Sequence, residues 1–208
     1  MRLPENQVAL LKKLAAVNDK IVVVLCGGSA VEMPWEKYAK AILHMHLAGQ
    51  AMGEAATNLM YGKAIPGGKL AETYPMAYAD CVNAHVYGIE DKQTPYYESI
   101  YCGYRYFTTA HKQVRYPFGY GLSYTTFALE DAGLTGEGTE LTFRVRVTNT
   151  GEYAGSETVQ LYVAPRTGGV YRPERELKAF AKVFLEPGQS KTVELALTER
   201  SFAVYDAQ

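Results

Sequence analysis

The chain has 208 residues, 48% of them hydrophobic and 21% charged, so the composition excludes a disordered protein and allows one large domain or two small ones. Lysine and arginine (21) nearly balance aspartate and glutamate (22), and the charge hardly separates along the chain. We therefore exclude electrostatic capture of nucleic acid or of an anionic membrane. The longest apolar run, residues 21–26, is far shorter than the about 20 residues of a membrane-spanning helix.

The first 75 residues alternate between helix and strand patterns. Leucines at helical spacing after Pro4 predict a helix that ends near residue 18. The β-branched run 21–26 has no polar alternation, which predicts a strand buried on both faces, as in a parallel sheet under helices. The later elements that the patterns predict are a short helix at 36–41, a strand at 42–47, a helix at about 50–61 and a strand at 69–74.

These elements amount to only part of an α/β domain. A doubly wound domain normally needs about five strands, and this region supplies two or three. The sequence therefore predicts an incomplete α/β sandwich domain over residues 1–80. We expect an exposed sheet edge and an apolar patch unless a partner covers them.

Tyrosine is the outlier of the composition. There are 17 tyrosines, and 11 of them fall between Tyr74 and Tyr124. The stretch is rich in glycine and proline and has no clear period, so we interpret residues 81–126 as an ordered connection that lies over other surfaces.

From Phe127 onward the hydrophobic pattern has period two. Leu141, Phe143, Val145 and Val147 alternate with polar residues, and turn signals separate the following runs. Short alternating strands spaced by turns predict an all-β antiparallel sandwich over residues 127–208.

Histidine offers one candidate metal site. His44 and His46 lie two apart on a predicted strand and point to one face. That spacing can ligate a metal, but no third ligand lies near it in sequence, so we expect no metal site. His85 and His111 have no evident partner.

Carboxylates offer a second candidate site. Glu90 and Asp91 are adjacent and diverge in an extended chain, so they are a poor catalytic pair. Glu98 lies among tyrosines; a substrate contact is possible there, but a buried structural carboxylate bonded to Arg105 is the favoured interpretation. No serine or cysteine triad is readable, and we predict no catalytic residue.

Two glycine-containing loops and three cysteines complete the candidates. Gly27-Gly28-Ser29 and Gly119-Tyr120-Gly121 lack the spacing of phosphate-binding loops, so tight turns are expected. The odd number of cysteines without close pairs disfavours a disulfide framework and structural zinc, and we expect small packed apolar side chains. These three are Cys26, Cys81 and Cys102.

Several motifs in a consistent order carry a family resemblance. The chain resembles the C-terminal α/β sandwich domain of glycoside hydrolase family 3, followed by a fibronectin type III-like (immunoglobulin-type) domain. The family includes β-glucosidases and β-xylosidases. The residues that carry the resemblance are 3–7, 21–26, Met33-Pro34-Trp35, 49–62, 66–75, 97–107, the most specific stretch 118–127, and the turns at 149–151, Gly155 and 186–188.

The resemblance also implies what this chain lacks. In the family, a (β/α)8 barrel carries the nucleophilic aspartate, and the acid/base glutamate lies on a sandwich loop that should precede Leu3. Retaining hydrolysis needs both carboxylates about 5 Å apart. We therefore expect a C-terminal fragment of a β-glycosidase that is inactive alone and needs no cofactor.

Two alternatives remain open. The chain could be one subunit of a split β-glycosidase that a barrel-bearing chain complements, with carbohydrate bound only in the complete enzyme; self-association could also cover the sheet edge. It could instead be a non-catalytic adhesion or carbohydrate-binding module. The latter is poorly supported, since residues 128–208 hold four tyrosines and no tryptophan. No signal peptide opens the chain, and free cysteines slightly favour the cytoplasm.

Overall fold

The computed structural model describes residues 1–89, 92–166 and 171–205. Its contacts divide the chain into two compact units whose segments interleave in sequence. Unit 1 comprises Met1–Ala64, Glu72–Ser99 and Lys112–Phe118, and unit 2 comprises Ile65–Ala71, Ile100–His111 and Gly119–Gln208. The tyrosine-rich connection therefore contributes to both units.

Unit 1 is the α/β part of the chain. Helix α1 (Glu5–Ala15) has an acidic first turn and lysines in its last turn, which complements the helix dipole. Strand β1 (Val22–Cys26) pairs in parallel with β2 (Ala41–His46), and α2 (Met52–Met60) follows before Gly62 at φ +71°. The predicted helix at 36–41 is only a 3-10 turn, Glu36–Tyr38.

The strand predicted at 69–74 is wrong for most of its length. Only β3 (Tyr74–Pro75) forms, and it pairs antiparallel with β4 (Val114–Tyr116) instead of extending the parallel sheet. Residues 65–71 belong to unit 2, where Lys69 pairs with Glu157. Tertiary contacts thus override the local strand pattern.

The burial of β1 follows from the incomplete sheet. Leu25 is the one buried residue of this strand, so the predicted burial on both faces is wrong for the isolated chain. Among the described residues β1 pairs only with β2, and α1 has no buried residue. The expected open sheet edge and apolar surface are therefore present.

Unit 2 is an antiparallel sandwich, as the period-two pattern predicts. Five of its described strands form two sheets, one of order β5 (Phe127–Glu137), β6 (Glu140–Asn149) and β9 (Ser190–Leu197), the other of β7 (Gly155–Val163) with β8 (Glu176–Leu185). The inward residues Val147, Val159 and Leu185 form its core with Val183, Val193 and Leu195. Two short helices complete the unit, α3 (Tyr104–Thr109) and α4 (Glu199–Phe202).

None of the helices in the described parts of the chain combines the length and apolar character that crossing a membrane requires.

Candidate functional site

The carboxyl end of β2 brings two histidines together in unit 1. His46 ends the strand in a left-handed conformation, with φ +49°, next to a register shift between Leu25 and Cys26. The rings of His44 and His46 lie with centroids 3.8 Å apart and tilted by 39°. His44 is half-buried, whereas His46 is exposed. The predicted common placement of the two side chains is therefore what the structure shows.

A third ligand group joins these histidines. Glu72, just before β3, places a carboxylate oxygen within 4.8 Å of one ring nitrogen from each histidine. Glu72 is 26 residues from His46, so the spacing of ligands along the sequence does not point to it. The one signal in the sequence that could have suggested Glu72 as a ligand is its acidic side chain immediately before the Thr73-Tyr74-Pro75 motif.

The hydrogen bonds of His44 define its protonation. Its Nδ1 lies 3.1 Å from the carbonyl oxygen of Leu25, and its Nε2 lies 2.7 Å from the hydroxyl of Tyr74. The backbone N–H of His46 also lies 3.4 Å from Nδ1, but the Leu25 contact is shorter. Because a carbonyl can only accept, we assign the ring proton to Nδ1 and the lone pair to Nε2. Burial and the nearby Glu72 carboxylate raise the pKa of Tyr74 to about 12, which keeps the tyrosine hydroxyl a donor. Burial also lowers the pKa of His44, which favours the neutral ring.

Unit 1 also has an apolar face. It consists of the α1 leucines together with the open edge of β1. Leu10 and Leu14 are 57% and 46% exposed, although both have the spacing of core-facing helix residues. A groove of about 340 Å³ is lined by Leu3, Gln7, Leu10, Leu11, Leu14 and residues 23–26. Such a surface is typical of a helix and a strand that lack their packing partner.

Glu98 lies half-buried in unit 1, where its Oε2 accepts a short hydrogen bond from the side-chain amide of Asn83. The ion-pair partner of Arg105 is Glu176, at 3.4 Å, and not the Glu98 that the sequence suggested. Glu98 belongs to unit 1 and Arg105 to unit 2, a division that the local sequence pattern does not indicate. Glu90 and Asp91 lie outside the described residues.

The two other histidines and the three cysteines lie outside the His44–His46–Glu72 cluster. The ring of His85 stacks on Tyr97 with centroids 6.2 Å apart, and His111 Nδ1 lies 3.7 Å from a carboxylate oxygen of Glu174. Cys26 and Cys102 are exposed, so the expectation of packed cysteines is wrong for both; β1 ends at Cys26 in the open. Cys81 is half-buried.

Both glycine-containing loops are tight turns. The backbone N–H of Gly27 donates to the carbonyl of His46 at 3.2 Å, directly after β1. A Cβ on Gly121 would overlap the carbonyl oxygen of Gly68, so the chain passes here too closely for any other residue.

Two exposed aromatic side chains occupy the outer face of β8. Phe180 and Phe184 are 68% and 59% exposed, and they alternate with inward residues of the strand. Residues four apart on a strand lie about 13 Å from each other. The tyrosine and tryptophan content of residues 128–208 does not reveal these two phenylalanines.

Comparison with known proteins identifies the class of protein. The fold combines the C-terminal domain of a glycosidase with a β-sandwich module. Residues 1–124 match the glycosyl hydrolase family 3 C-terminal domain, and residues 157–208 match the fibronectin type III-like domain. The chain belongs to glycoside hydrolase family 3. The sequence-based resemblance and fold class are thereby confirmed.

Similar proteins are much longer than this chain. It is 43% identical over 212 residues to thermostable beta-glucosidase B of Acetivibrio thermocellus, covering all of this chain and 28% of that protein. It is 43% identical over 205 residues to an exo-alpha-(1->6)-L-arabinopyranosidase of Bifidobacterium longum, covering 98% and 27%. A crystal structure of the family 3 beta-glucosidase of Bifidobacterium adolescentis superposes with a TM-score of 0.94 at 45% identity, covering 98% of this chain and 31% of that one. The chain thus spans less than a third of these relatives and matches their C-terminal part.

Proposed function

We propose that this chain is the C-terminal part of a family 3 β-glycosidase, which hydrolyses O-glycosyl bonds only together with a catalytic barrel. The similar proteins include a beta-glucosidase and an arabinopyranosidase, so the proposal extends to glycosides as a class. The role of this chain is structural: it completes the sandwich domain and braces the barrel.

The observation that carries the proposal is the apolar face of unit 1. Leu10 and Leu14 are exposed although their spacing is that of a buried helix stripe. Beside them, β1 leaves one edge without a strand partner among the described residues. A helix and a strand of this composition gain stability only when more of the same α/β domain packs against them.

We assign no catalytic residue to this chain. A retaining mechanism needs a nucleophile and an acid/base about 5–5.5 Å apart. Glu98 is held by Asn83, which suits a structural carboxylate better than either role. The nucleophilic aspartate and the acid/base glutamate would come from the barrel-bearing part.

The test is hydrolysis of aryl β-glycosides by the 208-residue chain, by a barrel-bearing family 3 portion that lacks these elements, and by their mixture. We expect activity only in the mixture. Activity of the chain alone would contradict the proposal. Absence of activity in the mixture, together with absence of co-purification, would also contradict it.

A matched pair of variants tests whether the apolar face makes the contact. Leu10→Lys places a charge on this face, whereas Leu134→Lys changes a leucine of similar exposure, 52%, on β5 of unit 2. We expect Leu10→Lys to abolish complementation and Leu134→Lys to leave it intact. If both variants reduce complementation equally, the apolar face does not make the contact with the barrel-bearing part.

A carbohydrate-binding role of the sandwich is the second candidate, and exposed Phe180 and Phe184 favour it. Aromatic faces stack on the apolar side of sugar rings. If the sandwich has this role, immobilised β-glucans should retard the chain in affinity electrophoresis. The double variant Phe180→Ala/Phe184→Ala should lose this retardation. Migration unaffected by the glucans would exclude it.

A further inference from the structure

We infer that His44, His46 and Glu72 form a binding site for a divalent transition-metal ion, Zn²⁺ in particular, at the carboxyl end of β2. Two imidazoles and one carboxylate are the donor set of zinc sites that hold the metal with three protein ligands and keep a fourth position for water. The site does not depend on the proposed glycosidase role.

The geometry of the three side chains suits a small ion. Their ligand atoms lie within 4.8 Å of one another. Ligand atoms bound tetrahedrally to one Zn²⁺ lie about 3.3–3.5 Å apart, given bond lengths of about 2.0–2.2 Å. The ring of His46 is exposed to solvent and can close that gap by rotating. Its exposure also leaves the fourth coordination position open to water.

Hydrogen bonds around His44 prepare it as a ligand. The Leu25 carbonyl, 3.1 Å from Nδ1, orients the ring as outer-shell carbonyls do at metal-bound histidines. Nε2 carries the lone pair and accepts from the Tyr74 hydroxyl, at 2.7 Å. A cation can take this lone pair only when the Tyr74 hydroxyl moves out of the position it occupies, but the ring itself needs no tautomer change to bind.

The unusual backbone at His46 supports the assignment. A histidine at φ +49° adopts a conformation that few side-chain-bearing residues adopt. This turn brings its ring to 3.8 Å from that of His44, where an extended strand would carry the chain onward. The turn therefore gathers both imidazoles at the end of β2, beside the Glu72 carboxylate.

The test is a Zn²⁺ titration of the full chain by calorimetry, with Trp35 fluorescence as a check of folding, since this single tryptophan is buried in unit 1. We expect one ion per chain at this site. His46→Gly removes the imidazole and accepts the positive φ, and Glu72→Gln removes the charge. Each should weaken binding at least about tenfold, because loss of an outer-shell partner alone costs about 10–100-fold.

Three controls isolate the site. His85→Ala removes an exposed histidine of the same unit and should leave the affinity unchanged. Tyr74→Phe frees Nε2 of His44, so the folded variant should bind at least as tightly as the parent chain. Co²⁺ should give ligand-field bands without a thiolate charge-transfer band, which separates this site from exposed Cys26 and Cys102.

Several results would overturn the inference. These are no binding of Zn²⁺ to the parent chain, an affinity insensitive to His46→Gly and Glu72→Gln, weaker binding by folded Tyr74→Phe, or a thiolate band with Co²⁺.

Discussion

Lys69 places its Nζ 2.9 Å from Oε1 of Glu157, and both side chains are largely buried, at 17% and 15% exposure. The same ammonium donates to the carbonyl of Gly121 at 2.8 Å. Residues 65–71 are thereby fastened to strand β7 of the sandwich. Unit 2 is consequently larger than the sandwich that the period-two pattern marks.

This ion pair yields the first prediction. Lys69→Met leaves the Glu157 carboxylate without its cation, so we expect unit 2 to lose about 2–4 kcal/mol of unfolding free energy. Lys69→Met/Glu157→Leu should recover much of that loss, because the double variant leaves no buried charge. Urea unfolding followed by circular dichroism measures both. Glu157→Leu alone completes the comparison. If the loss of unfolding free energy in the double variant equals the sum of the losses in the two single variants, the pair is not coupled.

The close passage at Gly121 yields the second prediction. Leu70 and the 119–121 turn exchange two backbone hydrogen bonds of 2.8 Å, and a Cβ on Gly121 would overlap the Gly68 carbonyl. We expect Gly121→Ala to lower the melting temperature of unit 2, with a cost of about 2 kcal/mol or more. Gly68→Ala is the matched control, since a Cβ there meets no atom within 4 Å. Equal melting temperatures for both variants would contradict the packing argument.

Asn149 yields the third prediction. Its fully buried side-chain amide donates to the carbonyls of Tyr153 and Leu185, and its oxygen accepts from Thr125 and from the backbone of Gly151. Asn149→Ala leaves several of these groups unpaired, so we expect a loss of about 3 kcal/mol or more.

The control for Asn149 is its neighbour. Thr150→Ala removes only an exposed hydroxyl that contacts Thr126, and its effect should stay within about 0.5 kcal/mol. Thermal unfolding of the two variants compares them directly. If Thr150→Ala lowers the unfolding free energy as much as Asn149→Ala does, the stability comes from the turn and not from the buried amide.

Glu32 yields the fourth prediction, on pH. Its carboxylate accepts from the Tyr78 N–H and from Arg2 Nε, each at 2.8 Å, and these bonds hold its pKa below the ordinary value of 4.5. A carboxylate with a depressed folded-state pKa stabilises the protein above its unfolded pKa, and that stability is lost as the pH falls through the folded value. Unit 1 should therefore unfold more readily as the pH drops below about 4.5.

Trp35 fluorescence during urea unfolding at several pH values measures this dependence. Glu32→Gln should make the stability of unit 1 less sensitive to acid, whereas Glu54→Gln, on the exposed face of α2, should not. Identical pH profiles of Glu32→Gln and the parent chain would contradict the prediction.

Much of the fold follows from local patterns. Leu141 to Val147 alternate because one face of β6 packs on the core, and the run 21–26 is a strand because β-branched residues favour extended backbone. The shortage of strands in the first 75 residues likewise predicts the exposed leucines of α1. Ordered family motifs add the class of protein, which the comparisons confirm.

Only the tertiary structure decided how distant segments combine. Glu72 meets His44 and His46, Asn83 meets Glu98, and Lys69 joins the sandwich. Periodicity in a sequence reports which face of an element is buried, because it reflects backbone geometry a few residues at a time. Side chains far apart in the chain become neighbours through packing and backbone turns, such as the left-handed turn at His46, and these depend on contacts that no local pattern contains.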